Sequence, residues 1–266
     1  IVNILKSVSE SLKPRVTEIT DVIRQSSVVK SDETTFRVQG KNFWEWVFVS
    51  RTACLHILRD SRSKSAIDVV FPERVLEVSR PLVWVSDLYP GQGQDVAQRW
   101  QVCLAHQIRD CQYAIDAGDM VFAPEIQKLF REAIALHQRR SELTNSTWYS
   151  YRLRVKRELR EVLLLNPTTR EGRNLRRRYT QVQDSLLTFL EFPDVPATNN
   201  ESEQQIRWSV IFRKVTNGSR SVWAAELFGA YRSVVNTGAK LGLSALESLR
   251  RAVMPGAFFA VGLDSS

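Results

Sequence analysis

The sequence predicts a mixed α/β fold interrupted by a long helical stretch, and three observations carry that prediction. Between Ser27 and Leu58, β-branched and aromatic runs alternate with turn residues, the pattern of a meander of antiparallel strands. Pro81 to Asp87 is almost continuously apolar before it ends on an acid, as expected of a short strand buried on both faces. From about Gly118 to Leu190 the apolar residues recur at helical spacing, with no strand-like alternation.

In chain order, residues 1–26 read as helical, with Ile4, Leu5, Val8, Leu12 and Val16 on one stripe. Pro14 lacks the amide that a helix interior needs, so two short pieces are expected. The segment opens on Ile1 rather than Met and reads as the tail of a longer N-terminal region. Val28 and Val29 lead through Asp32 to a run from Thr34 to Val38. The turn Gln39-Gly40-Lys41-Asn42 then precedes runs at Phe43–Val49 and Cys54–Leu58. Ser61 to Val70 reads as a helix stopped by Pro72, and Trp100 to Ala105 as a further strand leading into a helix through His106 and Arg109.

Within the helical stretch, breaks are expected near Pro124, at Thr144–Ser146 and at Pro167–Thr169, with Pro193 and Pro196 ending it. Asn199 and Asn200 open another helix after the linker Asp194 to Thr198. Two more helices are expected over 221–241 and 244–253. The segments are therefore a helical tail (1–26), the first part of a core (27–117), a helical insertion (118–192), the completion of the core (193–254) and a C-terminal tail (255–266).

Composition narrows the partners. A hydrophobic content of 43% with seven Trp over 266 residues supports a packed core and argues against global disorder. No apolar run approaches the roughly 20 residues of a membrane span, and no secretory signal opens the sequence, so a cytoplasmic protein with no membrane partner is expected. Cys54, Cys103 and Cys111 form an odd set without a CxxC pair, which argues against a disulfide framework or structural zinc. Cys103, His106 and Cys111 have only weak metal-site spacing. The net charge of +8 favours polyanions, because neutralising phosphates releases condensed counterions. Nucleic acid is the first candidate and an anionic membrane surface the second. Between Arg139 and Arg178 twelve basic residues face four acidic ones, which fits either a solvated surface or a phosphate-binding one.

Three acids stand where phosphodiester chemistry needs oxygen ligands, and the residues alone leave each open. Asp32 lies on the first strand, with Glu33 on the opposite face because strand side chains alternate; it reads as a metal ligand or as an edge acid facing solvent. Asp87 closes the apolar strand, where open α/β sheets expose ligand sites, but a turn acid fits as well. Glu203 falls three residues after Asn200, the place of a capping-box acid, and four before Arg207, in reach of a surface ion pair. Glu201 lies nearby on a different face of the same helix.

The blocks around these acids resemble the catalytic core of insertion sequence 66 family transposases. Ser31-Asp32-Glu33-Thr34, Gly40-Lys41-Asn42 and Trp44-Glu45-Trp46-Val47-Phe48 are similar to its opening block. Val85-Ser86-Asp87-Leu88-Tyr89 and Cys103-Leu104-Ala105-His106-Gln107-Ile108-Arg109 follow. Asn199-Asn200-Glu201-Ser202-Glu203, Ile206-Arg207 and Arg213-Lys214-Val215-Thr216-Asn217-Gly218 complete the series. The likeness runs in order from about Val28 to Arg251. It departs at Gln204, where members often have Arg, at Ser219-Arg220-Ser221, where many have Phe-Arg-Ser, and in lacking the DNA-binding and zinc-finger-like segments that usually precede the core.

The resemblance implies an RNase H-like mixed sheet flanked by helices, with a helical insertion before the last catalytic helix. It further implies a DDE transposase in which Asp32, Asp87 and Glu203 hold two Mg2+ ions, with Mn2+ able to substitute. End cleavage and strand transfer would follow, on transposon-end and target DNA, in a homodimer or higher assembly that accessory proteins of the element could join. The expected setting is the bacterial nucleoid. His106, Arg109, Arg207, Arg213, Lys214 and Arg220 become candidate DNA contacts, with His106 and Arg109 also placed to support Asp87. Two other readings fit the same residues: an RNase H-like nuclease or resolvase without joining activity, and an inactive DNA-binding remnant of a transposase.

Overall fold

The computed structural model describes residues 2–72, 81–89, 91–92, 95–254, 256 and 258. Five strands, β1 (Val28–Val38), β2 (Lys41–Val49), β3 (Cys54–Arg59), β4 (Val83–Ser86) and β5 (Arg99–Val102), form one mixed sheet in the order β3-β2-β1-β4-β5. With its flanking helices this is an RNase H-like α/β fold. The chain divides into two compact units: Ile1–Trp84, Tyr89–Gln98 and Asn200–Ser266 make the first, and Val85–Leu88 with Arg99–Asn199 the second.

In the first unit the meander is antiparallel throughout, with Asp32 opposite Val47 and Val47 opposite His56. Its hairpin turn is shorter than the sequence suggests. Lys41 and Asn42 already belong to β2, and Gln39 and Gly40 alone turn the chain, with φ of 51° and 76°. Two positive φ values give a turn whose twist matches that of the strands it joins.

Side-chain alternation sorts the meander into two faces. Val47 and Val49 of β2 and Cys54 of β3 pack on Ile206 and Val210, while Phe36 and Val38 of β1 pack with Phe212, Ala225 and Phe228. This face is covered by α8 (Asn200–Thr216) and α9 (Val222–Lys240). On the other face Phe48, Phe71 and Trp84 meet edge to face, with ring centroids 5.4 to 6.3 Å apart. There the short α2 (Ser65–Val70) precedes Phe71; it starts four residues later than Ser61, the start expected from sequence.

The N-terminal segment is one helix, α1 (Val2–Gln25), and not two. Pro14 is exposed, so its ring and the carbonyl it leaves unbonded face water. Leu12, Ile19 and Ile23 on the opposite side are fully buried, and α1 packs against β3, α9 and α10 (Ala245–Val253). Packing of that stripe outweighs the lost bond. Arg15 reaches the carbonyls of Ala252 and Met254 at 3.2 and 2.9 Å, satisfying the end of α10.

The second unit is mostly helical: α3 (Leu104–Asp116), α4 (Phe122–Gln138), α5 (Asn145–Leu163), α6 (Arg170–Gln181) and α7 (Gln183–Leu186), with two short 3-10 turns. β5 ends at Val102 and α3 starts at Leu104, so Ala105 is helical. The break expected near Pro124 falls at 117–121, between α3 and α4, and Pro124 itself sits in the first turn of α4, where a missing amide costs little. Thr144 and Thr169 cap α5 and α6 by accepting from the amides of Thr147 and Gly172. Tyr179 anchors the core: Phe122 and Phe130 flank its ring, and its hydroxyl donates to the carbonyl of Gln107 at 3.2 Å. All three cysteines are buried free thiols. No helix among the described residues is long and apolar enough to cross a membrane.

Candidate functional site

Asp32 belongs to the face of β1 that α8 covers. Its cross-strand neighbour Val47 packs on Ile206, and Ile206 lies one helical turn after Glu203, on the same side of α8. Asp32 and Glu203, both half-buried, are therefore on the same side of the sheet in the first unit. Helix α8 opens at Asn200, so Glu203 is its fourth residue, one past the third-residue position of a capping box.

Glu33 takes the other face, as alternation requires. It pairs with Arg62 at 2.6 Å and accepts from Gln92, and its side chain is only 1% exposed. Arg62 lies over the ring of Tyr89 at 3.7 Å, so Glu33 is committed to holding that side of the sheet together.

Glu201, two residues before Glu203, ties the first turn of α8 to its surroundings. Its carboxylate is shared between Lys30 of β1 and Lys240 of α9, both largely buried. Burial alone would raise the Glu201 pKa, but the hydrogen bonds from Lys240 and Lys30 win and lower it. Lys30 precedes Asp32 by two residues and so shares its face. One clamp thus fixes the start of the helix that carries Glu203 against the strand that carries Asp32. Sequence reading passes over Glu201, because its partners lie 171 and 39 residues away; nothing local marks them.

A second polar cluster lies deeper under α8 and α9. Glu45 of β2 and His56 of β3 are fully buried, with Nδ1 of His56 2.8 Å from Oε1 of Glu45. Ser209 of α8 donates to the same oxygen at 2.8 Å, and the Asn236 amide of α9 lies 2.8 Å from Nε2 of the histidine. Burial disfavours the imidazolium, but Cys54 and the Glu45 carboxylate outweigh it and raise the His56 pKa to about 9. Glu45 lies in the Trp-Glu-Trp run and reads from sequence only as a strand residue.

Asp87 is in the second unit, directly after the last residue of β4, and is half-buried. Beside it Ser86 accepts from the Trp100 indole at 3.0 Å, and its carbonyl accepts from the Cys103 amide at 2.8 Å, so β4 and β5 brace the backbone that presents the acid. His106 and Arg109 lie on α3, off the buried stripe of Leu104, Gln107 and Cys111, with Arg109 exposed.

The remaining candidate cations are in the first unit. Arg207, Lys214 and Arg220 are exposed. Arg213 is not fully available: its guanidinium donates to the carbonyl and hydroxyl of Thr35 and so braces β1 against the end of α8. Arg37, Arg213 and Arg220 line a concavity beside the Gln39-Gly40 turn and Asn217-Gly218.

Residues 1–227 match the family model described as Transposase IS66 family. No curated protein matches the chain.

Proposed function

The chain belongs to the IS66 transposase family, and on that premise we propose that it cuts transposon ends and joins them to target DNA, with Asp32, Asp87 and Glu203 as its metal ligands. The observation that carries the proposal is the shared sheet face of Asp32 and Glu203, in a chain whose match to the family spans both acids and Asp87. The donor set fits the metal: three carboxylates offer only oxygen, which Mg2+ prefers over nitrogen or sulfur. When bound, two such ions supply Lewis-acid activation of the attacking oxygen and neutralise charge on the transferring phosphate.

The residues then divide the work. The three acids hold the ions, and Glu201 holds the first turn of α8 so that Glu203 keeps its orientation. Arg207, Lys214 and Arg220, exposed on the first unit, meet phosphates together with His106 and Arg109, which fixes register without reading sequence. Water is the attacking group in end cleavage. The 3′ hydroxyl freed by that cut attacks in strand transfer, and no protein side chain becomes covalently linked to DNA.

The test is cleavage of labelled end DNA with Mg2+ or Mn2+, followed by a strand-transfer assay with pre-cut ends. Asp87→Ala and Glu203→Gln are expected to lower both rates roughly ten-thousandfold, the scale of removing an essential catalytic group. Undiminished cleavage by Asp87→Ala overturns the assignment. Cleavage without joining turns the reading to a nuclease.

A further inference from the structure

We propose that the outer face of α6, in the helical second unit, is a docking surface for the phosphate backbone of duplex DNA. The proposal rests on the DNA-processing role above and adds to it a place where the duplex is held outside the acid-bearing segments.

The helix is built around two opposed stripes. Gly172, Leu175 and Tyr179 are buried, and they recur at the three- and four-residue spacing of one face. The twelve residues carry five arginines and one Glu, and those arginines fall into two groups. Arg176 and Arg178 are used by the fold. The first donates to the carbonyl of Leu165 and the side chain of Asn166 at the end of α5, and the second pairs with Asp110 of α3. Arg170, Arg173 and Arg177 are exposed, and among the described residues no ion pair joins any of them to a carboxylate. Arg173 reaches only the carbonyl of Thr168, and Arg177 only the amide oxygen of Asn174.

A solvated face is the ordinary fate of surface arginines, and α5 shows what that looks like. There Arg154 and Arg157 are matched with Glu158 and Glu161 at the four-residue spacing that neutralises a helix surface. On α6 that compensation is missing. The three cations stand at i, i+3 and i+7, which spans about 10 Å along the axis. One DNA strand presents a phosphate about every 3.4 Å of duplex, so the stripe matches a run of roughly three phosphates. Arg173, Asn174, Arg176, Arg177, Thr180 and Gln181 line a shallow concavity that reaches this side, so neutral hydrogen-bonding groups sit among the charges, as in backbone-positioning contacts. Like charges left this close repel one another, and a polyanion relieves that repulsion.

The test compares the full chain with its Arg170→Gln/Arg173→Gln/Arg177→Gln variant, binding a fluorescent duplex of random sequence over a salt series. Each phosphate contact contributes about 0.9 to the slope of log affinity against log salt, so the variant's slope is expected to be shallower by roughly 2 to 3. An Arg154→Gln/Arg157→Gln variant, which removes the paired arginines, is expected to change the slope by less than about 1. Circular dichroism should show both variants folded, since every altered side chain is exposed. An unchanged slope in the folded triple variant overturns the proposal, as does weakened binding to anionic phospholipid vesicles with no change toward the duplex. The two readings fail separately. A wild type that cuts DNA with metal while the triple variant keeps its slope leaves the catalytic assignment standing and removes this surface. A shallower slope in a protein that never cuts does the reverse.

Discussion

The hydroxyl of Ser209 donates to the buried carboxylate of Glu45 across 2.8 Å, and this bond links α8 to the middle of the sheet. The same oxygen faces the His56 imidazole at 2.8 Å, so one carboxylate serves helix and strand together. Breaking a buried charged pair by removing one partner leaves the other uncompensated. Glu45→Ala is therefore expected to lower stability by about 3 to 5 kcal/mol in urea unfolding. Ser209→Ala removes one hydrogen bond to a charged acceptor and is expected to cost about 1.5 to 3 kcal/mol. If Glu45→Ala costs no more than Ser209→Ala, the pair is not what holds this region.

The pH dependence follows from the same pair. Folding raises the His56 pKa from 6.5 to about 9. A raised pKa means that the folded state binds the proton more tightly, so the stabilisation is full below about 6.5 and is lost as pH rises through 9. The contribution is on the order of 3 kcal/mol at its largest. The urea midpoint of the wild type is expected to fall between pH 6.5 and 9, and that of His56→Gln to stay nearly flat over the window. Parallel curves for the two proteins would remove His56 as the cause.

These relationships show what a linear sequence can carry. The three-strand meander is legible because alternation and turn residues are local signals, and the placement of Glu33 opposite Asp32 follows from a period of two. Pro14 misleads because the rule against proline in helices is also local. Whether the helix survives depends on Leu12, Ile19 and Ile23 finding a surface made by β3, α9 and α10, the last two from the other end of the chain. Glu201 and Glu45 escape for the same reason. An acid in a helix or strand looks solvent-facing until the fold brings Lys30, Lys240, His56 and Ser209 to it. Asp32 and Glu203 are legible as candidates through the family blocks, and their common face emerges only from the packing of Val47 on Ile206.

The Glu201 clamp makes a prediction for catalysis. Glu201→Gln keeps the shape of the side chain but weakens both ion pairs, and the first turn of α8 loses its fixed orientation. Supporting residues around metal ligands typically cost 10- to 100-fold when altered. A loss of that size in metal-dependent cleavage is expected, with the salt slope of DNA binding unchanged. Because the Glu201 pKa is depressed, the clamp is intact above the ordinary carboxylate range and opens as pH falls through the lowered value. A variant as active as wild type at every metal concentration would show that the clamp does not orient Glu203.

In the second unit, Asp119 and Gly172 are coupled by lack of space. The buried Asp119 carboxylate accepts from the amides of Val121, Phe122 and Ala123 at 3.2 to 3.4 Å and from the amide of Thr168 at 3.1 Å. Burial would raise its pKa, but these backbone donors lower it. The carboxylate thereby caps α4 and pins the loop before α6 to it. A Cβ at Gly172 would lie 2.0 Å from Oδ2 of Asp119 and 2.8 Å from Cβ of Pro167, so no side chain fits while the cap is in place. Gly172→Ala is expected to destabilise by about 1 to 3 kcal/mol through overpacking. Asp119→Ala is expected to cost about 1 to 2 kcal/mol as a lost cap. Residues in direct conflict do not add: in the double variant the two closest clashing atoms, Oδ2 and Cγ of Asp119, are gone, while the approach to Cβ of Pro167 at 2.8 Å remains. The cost of Gly172→Ala should therefore shrink in the Asp119→Ala background, measured by urea unfolding of all four proteins. Strict additivity would mean that the clash is relieved by backbone movement and that Asp119 does not require glycine at this position.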